Sequence, residues 1–344
     1  MIRRGASTSL DGLLSASSTN SPLSRVDVAY RGKHQSIWLK LEMHNPTGSI
    51  KYRTALGLLS ALHRERPLGR SEWLIESSSG NLGVALAEIA GEAGWRFLAV
   101  VDPKTPQTLR SRMLGAGAEL AMVDTVDDCG GYLLSRLDTV RRLLRESPSL
   151  RWTDQYHSTA GSAVHQTSTV PELMRQTGGL VDAVFVAVST GGTIAGISEG
   201  LRRFVPGLDV YAVDVVGSIA VDGAGHPHLL TGIGATRRST LLRPSHYTRL
   251  YRVADVEAIA MCRLFRHGTG LGLGASSGAV LAGLVRALAD GVAPARPVLI
   301  SPDGEDSYLA TVYADDWLAS RGVLPSVEAA EARARNDGLT FTPH

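Results

Sequence analysis

Alternating strand and helix patterns joined by short turns predict an α/β fold, a parallel sheet covered by helices. Two further features point the same way. Residues 183–188, Ala-Val-Phe-Val-Ala-Val, are apolar without alternation, the pattern of a strand buried on both faces. The turns after the strands combine glycine with serine, threonine or asparagine, which end a strand and cap the next helix.

Taken in order, residues 1–20 are rich in Ser, Gly, Ala and Thr after Met-Ile-Arg-Arg and predict a flexible leader rather than a signal peptide. Residues 21–26 enter the fold. A strand over 36–42 delivers Asn45-Pro46-Thr47-Gly48-Ser49, with Ser49 as cap of a helix over 51–64. A strand over 73–76 runs into Ser77-Ser78-Ser79-Gly80-Asn81-Leu82-Gly83 and a small, apolar helix over 84–93. Strand 97–101, helix 105–114, strand 119–123 and helix 130–146 continue the alternation. Residues 148–170 are polar and irregular, the expected crossing between domains, with helix resuming over 166–176. The apolar strand ends in Ser189-Thr190-Gly191-Gly192-Thr193 and a helix over 194–204. Strand 210–216, a long loop over 217–250 and helix 256–266 follow. A glycine-rich run leads through Ala275-Ser276-Ser277-Gly278 into another helix, and strand 297–300 ends at Ser301-Pro302-Asp303-Gly304. The charged, alanine-rich segment over 326–344 predicts a helix ending in a polar terminus, a peripheral tail.

The chain is long enough for two domains or one large one. Its net charge of +2, from 35 basic and 33 acidic residues, gives no reason to expect nucleic acid or membrane as a partner. No apolar stretch is long enough to span a bilayer. Cys129 and Cys262 lack metal-ligand spacing, and so do the histidines, so no metal is expected. Two cysteines make no disulfide framework, which fits a cytoplasmic location.

Only four of the basic residues are lysines: Lys33, Lys40, Lys51 and Lys104. Lys51 falls in a first helical turn, where the helix dipole disfavours an ammonium and lowers its pKa. A lysine of lowered pKa suits Schiff-base chemistry; a solvated surface amine is the plain alternative.

The turn Ser189-Thr190-Gly191-Gly192-Thr193 lets backbone N–H groups converge at a helix N-terminus, an anion cradle suited to phosphate or simply a tight turn. It lacks the lysine of a triphosphate loop and the spacing of a dinucleotide fingerprint. The serine-rich loop at 77–81 could hold a carboxylate through hydroxyls and N–H groups, or merely cap a helix. Gly274-Ala275-Ser276-Ser277-Gly278 matches the nucleophile-elbow pattern, but glycines precede it where a hydrolase needs a strand.

Together and in this order, the four motifs resemble the cysteine synthase-like family of pyridoxal-phosphate enzymes, fold type II, over about residues 21–317. Asn45-Pro46-Thr47-Gly48-Ser49-Ile50-Lys51 is similar to that family's Schiff-base lysine motif. The resemblance implies two three-layer α/β/α domains: a larger one from 21–51 and 161–325, and a smaller, movable one from 52–160. It implies pyridoxal 5'-phosphate on Lys51, which then carries a proton. Ser189, Thr190, Gly191, Gly192 and Thr193 are implied to bind the cofactor phosphate, Asn81 to meet the ring oxygen, and Ser276 to face the pyridine nitrogen. Ser78, Ser79 and Gln155 are implied to hold a substrate carboxylate. A serine makes a weaker electron sink than an aspartate at that nitrogen, which suits β-replacement through an aminoacrylate better than transamination. The resemblance also implies small amino-acid substrates and a homodimer.

Two departures from the usual cysteine synthase pattern bear on substrate. Leu82 stands where a threonine is common, and Arg237 and Arg238 lie in Gly-Ile-Gly-Ala-Thr-Arg-Arg, beside the implied substrate entrance. Arginine pairs well with phosphate or a second carboxylate. These departures are similar to the branch that makes N-(2-amino-2-carboxyethyl)-L-glutamate from O-phosphoserine and glutamate, toward 2,3-diaminopropionate for siderophores and peptide antibiotics. Cysteine synthase, serine or threonine dehydratase, and a binding protein without activity remain open alternatives.

Overall fold

Two sheets organise the chain, one of seven strands and one of four. The computed structural model describes residues 20–69, 72–127, 130–223 and 225–344; the predicted leader (except Asn20) and Cys129 lie outside them.

The larger sheet uses β1 (Leu23–Tyr30), β2 (Lys33–Leu41), β7 (Ala183–Ala187), β8 (Asp209–Val215), β9 (Arg249–Val253), β10 (Pro297–Ser301) and β11 (Thr340–Pro343), in the order β11-β1-β2-β10-β7-β8-β9. From β2 to β9 every pairing is parallel, while β1 pairs antiparallel with both β2 and β11. The smaller sheet is wholly parallel, in the order β5-β4-β3-β6: β3 (Trp73–Ser77), β4 (Arg96–Val101), β5 (Glu119–Met122) and β6 (Leu150–Trp152).

The helices are α1 (Lys51–Glu65), α2 (Asn81–Ala93), α3 (Gln107–Gly115), α4 (Leu133–Glu146), α5 (Ala160–Thr167), α6 (Thr169–Gln176), α7 (Gly192–Leu201), α8 (Asp255–Thr269), α9 (Ala275–Ala289), α10 (Asp315–Ser320) and α11 (Leu324–Asn336). The apolar strand behaves as its composition demands: Ala183, Val184, Phe185 and Val186 are all buried in the middle of the large sheet. α9 buries nearly its whole length, which its small residues permit.

Four strands and two helices, α5 and α10, exceed what the sequence patterns suggested. β1 shows the alternation of a sheet with one buried face, with Val26, Val28 and Tyr30 inward. β6 and α5 emerge from the region read as irregular, and β9 from the presumed loop. The C-terminal segment is not peripheral. Val327, Ala330 and Ala334 bury one stripe of α11, and β11 sets Phe341 opposite Val28 and 5.2 Å from Phe265, centroid to centroid. Its exposed charges had masked an apolar stripe made mostly of alanine.

A buried ion cluster fastens α1 to the large sheet. Arg53 Nε donates to Glu42 at 2.7 Å and Arg53 Nη2 to Glu172 at 2.7 Å, while Lys40 Nζ donates to Glu172 at 2.7 Å. Each charge has an opposite partner, without which such burial would be prohibitive.

Candidate active site

Neighbouring parallel strands β2, β10 and β7 end on the same edge of the large sheet, and the chain beyond each feeds one site. After β2 comes Lys51, after β10 Asp303, after β7 the Ser189–Thr193 turn. Ile50 N–H donates to the Pro302 carbonyl at 2.8 Å, and Ser49 bridges Asp303, so the first two segments are stitched together. Ile50, not Ser49, occupies the N-cap position of α1; the Ser49 hydroxyl instead accepts the Lys51 N–H at 3.3 Å. The Lys51 amine is held below its usual pKa. Loss of solvent is the principal cause, larger than the pull of Asp303 in the other direction.

Lys51 shares a cavity with Ser189, Thr190, Gly191 and Thr193, closed by Ile50, Ile300 and Pro302. Gly191 has φ +86°, and a β-carbon there would come within 2.3 Å of the Ser239 hydroxyl and 2.9 Å of Leu242. Gly192 opens α7, whose first turn carries no acid. The first N–H groups of a helix have no partner within it, and with Gly191 and Thr193 lining the cavity this helix start is placed to serve an anion there. Behind it, His165 Nε2 lies 3.3 Å from the Thr193 hydroxyl and Nδ1 2.8 Å from that of Thr169. Burial pushes the His165 pKa down to about 3, so the ring is neutral.

A larger cleft of about 560 Å³ opens beside this cavity, lined by Ser79, Asn81, Asp102, Arg136, Tyr156, Ser189 and Tyr308 among others. Ser78 lies beneath its surface and caps α2, accepting the Gly83 N–H at 2.9 Å. Gln155 is buried too, its amide donating to the Ser77 carbonyl at 2.8 Å. Glu76 fixes both segments. Its carboxylate accepts from the Ser77 N–H (2.8 Å), the Gln155 N–H (3.1 Å), the Thr153 hydroxyl (2.5 Å) and the Trp152 indole (3.2 Å). Burial nonetheless raises its pKa to about 7.

Arg237 and Arg238 do not line the cleft. Arg237 sits behind it, its guanidinium 5.5 Å from the centroid of the Tyr156 ring and 3.1 Å from His157 Nε2; Arg238 is exposed. The cations that reach the cleft are instead Arg136 and Lys104, and of these Arg136 is the buried one. It is 7% exposed, and its Nε and Nη1 make no hydrogen bond. A signal for it existed in the sequence: Arg136 falls on the buried face of α4 with Leu133, Leu137 and Val140, where an arginine demands a reason. Ser276 is buried in the first turn of α9, and its neighbour Ser277 bonds the Ser301 hydroxyl at 2.8 Å.

The model of the pyridoxal-phosphate dependent enzymes matches residues 14–303. The chain belongs to that family. Its cofactor is pyridoxal phosphate, and the cradle fits one: a glycine in a left-handed turn that leaves no room for a side chain, a helix N-terminus, hydroxyls, and a lysine of lowered pKa in the same cavity. The N-(2-amino-2-carboxyethyl)-L-glutamate synthase of Ralstonia nicotianae is 38% identical over 87% of this chain and 88% of that protein. The protein of the same name from Cupriavidus metallidurans is 36% identical over 90% and 93%. Among solved structures, a hydrogen sulfide-producing enzyme of Fusobacterium nucleatum superposes with TM-score 0.82 over 97% of this chain and 96% of that one, at 22% identity. An O-ureido-L-serine synthase does so with TM-score 0.78 over 88% and 98%, at 24% identity. At these identities the structures speak to the fold alone.

Proposed function

We propose that the protein joins O-phospho-L-serine to L-glutamate, releasing phosphate and forming N-(2-amino-2-carboxyethyl)-L-glutamate, a precursor of 2,3-diaminopropionate. The observation that carries this reading is the Arg136 guanidinium, buried in the cleft with hydrogen-bond donors unspent. A phosphate with about two negative charges, or the side-chain carboxylate of glutamate, answers such a donor. Sulfide and water do not need one. The two relatives that carry this synthase name support the choice.

Pyridoxal phosphate, when bound, supplies an electron sink at Cα that allows the β-substituent to leave. The residues do the rest. Lys51 binds the cofactor and moves the proton at Cα through Nζ. Thr193, Gly192 and the N-terminus of α7 anchor the phosphate, with Ser189, Thr190 and Gly191 shaping the cradle. Ser79 and the N–H groups of the serine loop take the substrate carboxylate, while Ser78 and Gln155 set the shape of that loop. Ser276 faces the pyridine nitrogen. At Cβ the bond to the phosphate oxygen breaks and a bond to the glutamate nitrogen forms, the nitrogen giving up one proton. We further assign residues 52–160 to a smaller domain that closes on the substrate and excludes water. A homodimer and a cytoplasmic site of action belong to the same proposal, supported by the resemblance to cysteine synthases.

The test is a product assay by mass spectrometry. The enzyme is offered O-phosphoserine or O-acetylserine, each with glutamate, sulfide or water. The glutamate adduct from O-phosphoserine should form fastest. Faster cysteine from O-acetylserine and sulfide would make the protein a cysteine synthase, and pyruvate alone a dehydratase.

A further inference from the structure

Asp303 is 5% exposed and stands where the segments after β2 and β10 meet. Its Oδ2 accepts from Asn81 Nδ2 at 2.7 Å and from the Tyr308 hydroxyl at 3.0 Å, while Oδ1 has no hydrogen-bond partner. The carboxylate has little room to move. Oδ1 lies against the backbone of Gly274, where a β-carbon would come within 1.9 Å of it, and the Asp303 carbonyl accepts the Gly274 N–H at 3.1 Å. None of the roles assigned above uses this residue.

We infer that Asp303 is a positioning residue for Asn81: by holding one N–H of the Asn81 amide, it leaves the other for the ring oxygen of pyridoxal phosphate. This rests on the proposed attachment of the cofactor at Lys51 and on the role of Asn81 beside it. The reasoning is one of donor and acceptor inventory. A side-chain amide has two N–H donors on one side and an acceptor on the other, and its two orientations have nearly the same shape. Facing an anionic ring oxygen, only the N–H side is useful. A carboxylate accepts and does not donate, so an ionised Asp303 pairs with Nδ2 and rejects the flipped amide. Asn81 opens α2 from the small-sheet side, whereas Asp303 follows a strand of the large sheet. The bond therefore ties the amide to the segment that follows the large sheet's β10. Tyr308 occupies the second acceptor site on Oδ2 and holds the carboxylate in place.

Asp303→Asn keeps the shape but can either donate or accept, so both amide orientations become available. The full chain is loaded with pyridoxal phosphate, and two quantities are read: the visible absorption band of the Lys51-bound cofactor and its dissociation rate. Asp303→Asn and Asn81→Ala should shift the band alike and release cofactor about tenfold faster, and the double variant should add nothing. Tyr308→Phe leaves the Asn81–Asp303 bond and the Gly274 contact in place and should shift the band less than Asp303→Asn. Additive shifts, or a wild-type band in Asp303→Asn, overturn the inference. If Asp303→Asn does not fold, a structure of the loaded wild type decides: Asn81 Nδ2 within hydrogen-bond distance of both Asp303 and the ring oxygen supports it, and separation from Asp303 overturns it. A wild-type chain that takes no cofactor on Lys51 would instead sink the reading beneath it.

Discussion

Arg136 Nε lies 3.3 Å from the Asp102 carboxylate, yet neither Nε nor Nη1 forms a hydrogen bond. The pairing neutralises charge without using the donors, which leaves a desolvated guanidinium ready for an anion from the cleft. A charge-assisted contact of this kind is worth about 1.5–3 kcal/mol, or roughly ten- to a hundredfold in apparent affinity. Arg136→Ala should raise KM for O-phosphoserine or glutamate by that order while cofactor loading stays unchanged. Arg237→Ala should cost less, because Arg237 reaches the cleft only through the Tyr156 ring. Steady-state kinetics on both variants checks this; equal losses would return Arg237 to the binding site.

Two lysines have depressed pKa values, and only one faces the phosphate cradle. Lys40 is spent on the Ser21 carbonyl, Glu172 and Gln176, at 2.7, 2.7 and 2.9 Å. Borohydride reduction of the loaded enzyme followed by peptide mapping should place the pyridoxyl group on Lys51. Lys51→Ala should fold, since the cradle residues lie on a different chain segment and alanine favours the helix that Lys51 begins, and should carry no label and no turnover. A label on Lys40 or Lys104 would refute the assignment.

Gly191→Ala tests the cradle itself. The left-handed backbone disfavours any side chain there, and the added carbon would run into Ser239 and Leu242. The Ser239 hydroxyl accepts the N–H groups of Leu241 and Leu242 and donates to the Thr190 carbonyl at 2.6 Å, so it cannot yield without loosening the loop. Cofactor affinity should fall at least tenfold, measured by fluorescence titration of the apo chain, with little change in substrate KM at saturating cofactor.

What the sequence made legible is what repeats in one dimension. The apolar run of β7, the strand-to-helix turns and the lysine at the start of α1 are local patterns, and each stands in the fold where its pattern implied. Contacts made across the fold were not legible. Lys51, Asp303 and the phosphate loop belong to one site only because β2, β10 and β7 are neighbours in a sheet whose order differs from the order of the chain. Arg237 drew notice because two arginines stood beside a glycine-rich loop. Arg136 did not, because it lies in a helix full of arginines, and only its buried face sets it apart. The lowered pKa of Lys51 was anticipated from the helix dipole, but desolvation is its chief cause. The cavity walls that provide it come from three separate strand ends.

Glu76 offers a pH test of how the serine loop is held. Burial raises its pKa from the ordinary 4.5 to about 7, against the lowering effect of its four hydrogen-bond donors. The unfolded chain, with its carboxyl in water, loses that proton nearer the ordinary value. Between the two values the native state binds more protons than the unfolded one, so stability falls as pH rises. The contribution is fully present below about pH 4.5 and lost on passing about pH 7. Glu76→Gln has no proton to lose and lacks this slope. Asp303 and Asp214, whose pKa values burial raises to about 6, remain in both proteins and cancel in the comparison. The unfolding free energy of wild type minus that of Glu76→Gln should therefore decline by a few kcal/mol between pH 4.5 and 8. Urea denaturation at several pH values measures it. The same variant replaces one carboxylate oxygen by an amide NH2 that donates and cannot accept, so one of the Ser77 and Gln155 N–H bonds is lost, the two segments should separate, and KM for the amino-acid substrate should rise more than kcat falls. A pH-independent difference would mean that Glu76 already titrates as a solvated carboxylate, and the serine loop would then need another anchor.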